Sequence, residues 1–382
     1  MAQITAENIE TTYVKNGRFT ISRRIQSAIE GCITNDDQAL IEQEYKRLSG
    51  EYKAYRKILR PIQIDYGNEL TLDAYVIYYL SRNTLIPIIA FRDLSFNPFF
   101  QRVPDSVNIL DLGTGTGAVV LGLFELFNMK SLSDVAINIV AIDRYGLALE
   151  RQRRLIDKAG FNSSQVKRIA QDLNDVEKCI KLVREQGPYN FIFIANCLTE
   201  LERHIGEELV SKLPPLIRDD GAIVIAEAQR DYIKRIIQKL ATNAQGYGLN
   251  IYYPCPIHPT CTTSSCWVWR DHEYECPSIK VGGEYISEIP RDRLTLSWLI
   301  LTRAQLSIYD IHIKRAPKLL WRPIAQVKNR QWGRPLSGWC YGACDGNEVE
   351  TFEEDDGFFP SYKRGSIVGL SDELELEEYR IL

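Results

Sequence analysis

The sequence lacks the features of a membrane or exported protein. It contains no run of about 18 uncharged apolar residues, which is the minimum for a membrane-spanning helix. Its first residues, MAQITAENIETTY, have neither a basic flank nor an apolar stretch, and their two glutamates disfavour a transit peptide. We therefore expect no membrane partner and a cytoplasmic location.

Internal repeats and low-complexity tracts are also missing. Hydrophobic residues make up 45% of the chain and charged residues 25%, so wholly disordered, collagen-like and coiled-coil proteins are excluded. The 382 residues suffice for two or three domains with a large core. Nine cysteines without an export signal indicate a reducing compartment, where thiols or metal ligands are expected rather than disulfides.

Charge is distributed unevenly along the chain. Residues 345–382 carry 12 acidic and 3 basic residues, which is typical of a solvated tail. Residues 303–334 carry eight basic residues and one acidic residue, and three aromatic residues lie among them: Tyr309, Trp321 and Trp332. Such a segment can contact phosphates and stack on unpaired bases, and the alternative is a charged exposed surface.

From Val107 onward, short apolar strands alternate with helices. Strands are predicted at 107–112, 135–143, 166–172, 189–197, 221–228, 250–253 and 294–303. This alternation predicts an α/β fold, a parallel sheet with helices on both faces. Upstream, the spacing of apolar residues predicts helices over 39–59 and 70–91, the second interrupted near Pro87.

These patterns divide the chain into four segments. We predict a helical N-terminal region over 1–100 and an α/β domain over 101–303, with a Cys-rich insertion at 254–277. A basic segment over 304–350, which would complete a metal site, and an acidic tail over 351–382 follow, and a small β segment is predicted in this C-terminal part.

The first predicted strand leads into a glycine-rich loop, ILDLGTGTGAV, that opens a helix. Gly113, Gly115 and Gly117 allow the backbone to approach a ligand, and the helix N-terminus supplies N–H groups. A dinucleotide-binding loop uses the same arrangement. The glycines alone therefore predict a nucleotide-like ligand without naming it.

Acidic residues at three successive strand ends favour S-adenosylmethionine (SAM). Asp111, just before the glycines, is expected to orient the loop and face the ligand's amino group. Asp143 is expected to accept hydrogen bonds from both ribose hydroxyls, and Asp172 to lie close to the adenine. The alternative is that these acids only cap strands and helices.

This pattern resembles class I methyltransferases over about residues 105–305. In that fold the end of the fourth strand faces the transferred methyl group, and Asn196 occupies this position within ANCLTEL. Asn196 is therefore the one catalytic candidate and also a cofactor-binding candidate. The motifs that indicate amino-group methylation, Asn-Pro-Pro-Tyr and Asn-aromatic, are not present at Asn196, so the sequence marks the catalytic step poorly. Methyl transfer to a good nucleophile can proceed by positioning alone.

Six of the nine cysteines lie between residues 255 and 344: Cys255, Cys261, Cys266, Cys276, Cys340 and Cys344. The spacing fits poorly with the C-x(2–4)-C pairs of zinc sites, whereas Cys followed by Pro occurs in iron–sulfur motifs. Zinc with His258, or free buried thiols, are the alternatives. The other three cysteines are predicted to be core residues: Cys32, Cys179 and Cys197.

Together, these motifs resemble the small-ribosomal-subunit-associated methyltransferase-like family of mitochondria and many prokaryotes, over about residues 65–350. The resemblance is carried by AYVIYYLSRNTLIP, LDLGTGTG, LTEL, GAIVIAEA, CPIHPTC and LSWLILTR. It implies SAM binding, a partnership with the small ribosomal subunit and its rRNA, and a 4Fe-4S cluster. The implied ligands are Cys255, Cys261, Cys266 and Cys344, with Cys276 and Cys340 as alternates.

The chain departs from this family at two places. The gap between Cys261 and Cys266 is short, and Glu227-Ala228-Gln229 replaces the usual Glu-Pro-Gly. Two functions follow from the resemblance: a SAM-dependent rRNA methyltransferase that supports small-subunit assembly and translation, or a non-catalytic, iron–sulfur-stabilised assembly factor. A zinc-binding methyltransferase that acts on a protein or a small molecule is a third interpretation.

Overall fold

The structure is a computed structural model that describes most of the first 305 residues and several C-terminal strands. The described residues are 2–54, 64–202, 204–228, 231–253, 270–275, 278–286, 293–305, 320–328, 337–344, 349–353, 368–370 and 376–377. Within these ranges, no helix combines the length and the apolar character needed to cross a membrane.

The central sheet contains the strands that the alternation predicts. They are β1 (Ser106–Leu112), β2 (Ala136–Asp143), β3 (Val166–Ala170), β4 (Tyr189–Ala195), β5 (Ile217–Ala228), β6 (Asn250–Tyr253) and β7 (Arg293–Thr302). Their order across the sheet is β3-β2-β1-β4-β5-β7-β6. Strands β1 to β5 are parallel, and β7 runs antiparallel to both β5 and β6. An eighth strand, Arg270–Glu273, pairs with β7.

The sheet is buried on both faces, which explains its nearly continuous apolar strands. In β4, Phe191 and Phe193 belong to one hydrophobic core, whereas Ile192 and Ile194 belong to another. Successive side chains of a strand point to opposite faces, so the two cores lie on the two sides of the sheet.

Helices connect these strands. They are Ala118–Phe127, Gly146–Lys158, Val176–Arg184, Ile205–Ser211 and Asp231–Asn243, with 3₁₀ turns at Ser163–Gln165, Pro214–Leu216 and Gln245–Tyr247. The helix that follows β4 begins only at Ile205, and the LTEL residues before it form a turn.

The N-terminal region is helical, as predicted. Its helices are Ala6–Tyr13, Arg23–Glu30, Gln38–Ala54, Glu69–Tyr75, Ser81–Asn83, Leu85–Leu94 and Pro98–Gln101, with a π-helical turn at Val76–Leu80. Ala2–Gln3 pairs with Arg102–Val103, and Val14–Lys15 pairs with Arg18–Phe19. The interruption predicted near Pro87 lies at Thr84 instead. Pro87 falls in the first turn of the next helix, where a missing N–H costs no helical hydrogen bond.

The N-terminal region packs on one face of the sheet. Its buried residues Ile9, Ile77 and Phe91 share a core with Ile109 of β1 and Phe193 of β4. A buried ion pair also joins the two parts, as Arg151 of the helix Gly146–Lys158 contacts Asp73.

The C-terminal strands form a separate five-stranded antiparallel sheet. Its strands are Leu320–Lys328, Ser337–Cys344, Val349–Glu353, Val368–Leu370 and Leu376–Glu377. A small β segment is predicted here, but the strands also continue into the predicted acidic tail. One further hairpin joins Lys280–Val281 to Glu284–Tyr285.

Candidate active site

A pocket lies at the carboxyl ends of β1, β2 and β4, beside the glycine loop. It holds about 850 Å³ of empty space, part of it open to solvent. The sequence-predicted residues that line it are Asp111, Gly113, Gly115, Asp143, Asp172 and Asn196. The structure therefore brings together every cofactor-site candidate except Gly117, which begins the following helix.

The three glycines of the loop adopt left-handed backbone conformations for different reasons. A Cβ on Gly113 would lie 2.5 Å from the Cβ of Cys197, and one on Gly117 would lie 2.4 Å from Cγ of Gln152. A Cβ on Gly115 would meet nothing within 4 Å. Gly113 and Gly117 thus allow close packing against neighbouring side chains. Gly115 instead borders open space, where a ligand could approach the protein backbone.

Asp111 is buried beneath the loop and holds it in place. Its Oδ2 accepts a 2.6 Å hydrogen bond from Thr114 Oγ1, which in turn accepts one from Gln152 Nε2 at 2.7 Å. Burial raises the pKa of Asp111 to about 7, against the opposing effect of the Thr114 hydrogen bond. The sequence predicted the loop-orienting role of Asp111 but not its partners Thr114 and Gln152.

Asp143 links the loop to the second strand. Its Oδ2 accepts a hydrogen bond from the Gly115 N–H at 2.8 Å, and its Oδ1 accepts one from the Tyr145 N–H at 2.9 Å. Burial raises the pKa of Asp143, although both N–H groups favour its ionised form. Each carboxylate oxygen has a second lone pair, so ribose hydroxyls can still be accommodated.

Asp172 lies two residues beyond β3 rather than at its last residue. Its Oδ1 accepts hydrogen bonds from the backbone N–H and from Nδ2 of Asn174, both at 2.9 Å. The preceding residue, Gln171, donates its N–H to the carbonyl of Asp143 at 2.9 Å. Asp172 therefore shapes the pocket wall next to Asp143.

Asn196 directly follows β4 in a left-handed conformation, with φ of 55°. Its N–H donates to the carbonyl of Ala226 on β5 at 2.8 Å. The next two N–H groups, of Cys197 and Leu198, both donate to Oε1 of Glu227 at 2.8 Å. Glu227, which matches the Glu of Glu-Pro-Gly, thereby fixes the turn that carries Asn196. Of the two residues that differ from Glu-Pro-Gly, Ala228 ends β5 and Gln229 lies outside the described residues.

Glu200 is a pocket residue that the sequence did not reveal as functional. It lies in the turn after β4, and its Oε1 accepts a 3.2 Å hydrogen bond from Tyr66 Oη. Burial, and then the nearby Asp143 carboxyl, raise the pKa of Glu200 to about 8. The LTEL motif contains this acid, but only its partly buried position and its N-terminal partner mark it as chemically unusual.

The N-terminal region supplies the other wall of the pocket, through Tyr66, Leu72, Tyr75, Asn83 and Ile86. Tyr66 lies edge-on to both Tyr75 and Tyr145, with ring centroids 5.5 and 5.7 Å apart. None of these residues stood out from the sequence. Leu72, Tyr75, Asn83 and Ile86 fall within the predicted helix 70–91, where apolar spacing indicates ordinary core positions, and Tyr66 lies before it.

The predicted cysteine ligands are not placed by the structure. Cys255, Cys261, Cys266 and Cys276 lie outside the described residues. Cys340 and Cys344 lie on a strand whose backbone is described, opposite Ala325 and Val349 respectively, but their side chains are not. Across the described side chains, no group of His, Cys, Asp or Glu is arranged to hold a metal ion. Cys32, Cys179 and Cys197 are buried free thiols, as predicted.

Comparison with known proteins gives structural matches only. No family model matches the sequence, and neither does any curated protein. An O-methyltransferase family protein from Burkholderia thailandensis matches at 13% identity and TM-score 0.41, covering 70% of each chain. Magnesium protoporphyrin IX methyltransferase from Synechocystis PCC 6803 with bound SAH matches at 11% identity and TM-score 0.36, covering 68% of this chain and 100% of that chain. A precorrin-6y methyltransferase from Geobacter metallireducens matches at 11% identity and TM-score 0.35, covering 57% of this chain and 86% of that chain.

Because these identities and scores are low, the fold assignment rests on the chain's own topology. The strand order β3-β2-β1-β4-β5-β7-β6, the antiparallel β7 and the glycine loop after β1 define the class I SAM-methyltransferase fold. The predicted fold class is therefore confirmed.

Proposed function

We propose that this chain binds SAM in the pocket and transfers its methyl group to small-subunit ribosomal RNA. The main observation in favour of SAM binding is the acidic lining of the pocket. Its described lining includes four acidic residues, Asp111, Asp143, Asp172 and Glu200, and one basic residue, Arg144. Such a pocket favours a cation like the SAM sulfonium and disfavours the pyrophosphate of a dinucleotide, the other ligand that a glycine loop suggests.

Each part of SAM has a matching group in the pocket. The glycine loop and Asp111 would hold the amino-acid end, and Asp143 would accept hydrogen bonds from the ribose hydroxyls. Asp172 and Asn174 would border the adenine, and Asn196 would lie near the methyl group. SAM supplies the electrophilic methyl, while the chain's residues bind and orient it and shield it from water.

The transfer step is tested by incubating the protein with methyl-labelled SAM and purified small ribosomal subunits, followed by digestion of the RNA to nucleosides. Label is expected in a nucleoside with the wild type and not with Gly115→Arg. If the wild type binds SAM but leaves the RNA unlabelled, the non-catalytic assembly factor is the better account.

The partner proposal rests on the basic segment 303–334. Arg322 and Lys328 lie on the first strand of the C-terminal sheet, whereas Arg330 lies outside the described residues. The protein should co-sediment with small subunits, and this binding should weaken steeply with salt because phosphate contacts release counterions. Changing Arg322, Lys328 and Arg330 to Glu should abolish co-sedimentation while SAM binding persists. Wild-type co-sedimentation of the triple variant would contradict this partner surface.

The 4Fe-4S cluster is likewise a proposal, supported by the cysteine pattern and by the family resemblance. Its loss should loosen the C-terminal segment, because the binding energy of a metal site is part of the folding energy. Anaerobically purified protein should be brown and contain iron and sulfide. Colourless, zinc-loaded protein would contradict the proposal. Retention of iron in Cys344→Ser with its loss in Cys340→Ser or Cys276→Ser would reassign the ligands.

A further inference from the structure

Glu200 adds to the acidic character of the pocket, but none of the proposed contacts with SAM involves its carboxyl. It lines the same pocket as Asn196, in the turn that Glu227 fixes after β4. Asp111 and Asp143 hold the glycine loop through Thr114 and the Gly115 N–H. Glu200 instead contacts the N-terminal wall of the pocket, where Tyr66 Oη donates a hydrogen bond to its Oε1. It therefore lies between the cofactor loop and the N-terminal wall.

A short hydrogen-bonded chain extends from Glu200 into the N-terminal region. The hydroxyls of Tyr52 and Tyr66 are 2.6 Å apart, and Tyr66 then donates to Glu200. This chain fixes the carboxyl in one orientation without neutralising it, because tyrosine hydroxyls are uncharged below a pH of about 10. Burial raises the pKa values of both tyrosines well above their usual range, so they stay protonated.

The charged and titratable groups around Glu200 set its protonation state. They are Asp143, Arg144, Glu227, Cys197, Tyr52, Tyr66, Tyr75 and Tyr145. Burial and Asp143 raise the pKa of Glu200 to about 8, while Arg144 and the Tyr66 hydroxyl oppose this effect. A sulfonium cation in the pocket acts in the same direction as Arg144, and thus favours the carboxylate when SAM is bound.

We propose that Glu200 accepts the proton of the methyl acceptor, and that the acceptor is therefore an amino or hydroxyl group that must lose a proton. This inference rests on the proposed SAM-dependent function. The acceptor's lone pair forms the new N–CH₃ or O–CH₃ bond, and the S–CH₃ bond breaks with its electron pair left on sulfur. The acceptor's proton passes to the Glu200 carboxylate, so SAM becomes neutral SAH and no other reactant is required.

Binding of three SAM-like ligands tests this role without an identified acceptor. Sinefungin carries an amine-bearing carbon where SAM has its methyl sulfonium, so its N–H groups reach toward the acceptor position. SAM carries a positive charge on its sulfur but has no N–H at this position, and the sulfur of SAH is uncharged. Dissociation constants are measured by calorimetry for the wild type, Glu200→Gln and the control Glu185→Gln, an exposed position outside the pocket. Gln keeps an oxygen that can accept from Tyr66 but cannot take a proton.

Glu200→Gln should weaken sinefungin binding about 10- to 100-fold, the range expected for a lost charge-assisted hydrogen bond. SAM binding should weaken much less and SAH binding should not change, while Glu185→Gln should match the wild type for all three ligands. Equal losses for SAM and sinefungin would show that Glu200 only balances the sulfonium charge, and would overturn the proposal. Unchanged sinefungin binding would overturn it too. A wild type that binds none of the three ligands would instead refute the proposed function itself.

Discussion

The three loop glycines share one backbone conformation and differ in their surroundings. Gly113 and Gly115 both have positive φ, 72° and 52°, so an added Cβ strains the backbone similarly at either position. Of these two positions, only Gly113 would also bring its Cβ against a neighbour, the Cβ of Cys197 at 2.5 Å. The pair therefore separates the effect of packing from the effect of backbone strain.

We predict that Gly113→Ala destabilises the protein by about 1–3 kcal/mol more than Gly115→Ala, the range for overpacking a tight site. The free energies of unfolding of the two variants and the wild type are measured by urea titration. Equal losses of unfolding free energy in the two variants would mean that the loop can move away from Cys197 without loss of stability.

Glu200 also affects stability, through its protonation. Its pKa rises from an ordinary 4.5 to about 8 in the folded protein, so the folded state holds the proton over this interval while the unfolded state has released it. Stability from this group is therefore lost as pH rises from 4.5 to 8. Asp111, with a pKa raised to about 7, acts in the same direction.

Glu200→Gln cannot titrate, so the ligand-free variant should lose less stability between pH 5 and pH 8 than the wild type. Urea unfolding at both pH values measures this difference, and Glu185→Gln should retain the wild-type dependence. If Glu200→Gln and the wild type show the same pH dependence, the carboxyl is already ionised in the folded protein at neutral pH.

At the residue scale, the sequence predicts groups that stand at strand ends. Asp111, Asp143 and Asn196 fall in or directly after strands, and parallel strands bring their carboxyl ends to one edge of the sheet. Glu200 comes five residues after β4, and its environment depends on Tyr66 from another region of the chain. No local pattern contains that relationship, so the proposed proton acceptor becomes visible only once the chain is folded.

At the scale of elements, the alternation of strands and helices predicts the central sheet well, because buried parallel strands are short apolar runs. Boundaries are less accurate. Strand β5 begins at Ile217 rather than at residue 221, and β3 ends at Ala170 rather than at residue 172. Asp219 and Asp220 belong to the N-terminal part of β5, where the pairing with β4 shifts register between Ile217 and Ala222, and their polar side chains do not predict a strand.

One ion-pair network ties an N-terminal helix to the α/β domain. Arg151 is fully buried and pairs with Asp73, which is also fully buried, and with the partly exposed Glu69. Asp73 accepts further hydrogen bonds from the N–H groups of Thr34 and Asn35. Removing one member of such a pair leaves a buried charge uncompensated.

Arg151→Met should therefore destabilise the protein by about 3–5 kcal/mol. Arg153→Met is the matched control on the same helix, because the exposed pairs of Arg153 with Glu150 and Asp157 should contribute at most about 1 kcal/mol. Urea unfolding compares the two. Similar small losses of stability in both variants would show that the other hydrogen bonds of Asp73 compensate its charge without Arg151.

At the scale of the whole molecule, the pocket is built from two regions of the chain. The loop and strand ends supply one wall, and Tyr66, Tyr75 and Ile86 of the N-terminal region supply the other. The sequence indicates that both regions exist, but periodicity carries no information on how helices dock on a sheet. The pocket is therefore complete only when the N-terminal region packs on the sheet.

Binding of SAM to the pocket is the central claim, and calorimetry on the wild type, Gly115→Arg and Gly160→Arg tests it most directly. The φ angle is 52° at Gly115 and 71° at Gly160, and an added Cβ would meet nothing within 4 Å at either position. The two substitutions therefore impose comparable backbone strain. Only Gly115 lines the pocket. We predict that the wild type and Gly160→Arg bind SAM and that Gly115→Arg does not. Equal SAM binding by all three proteins, or none by the wild type, would contradict the account.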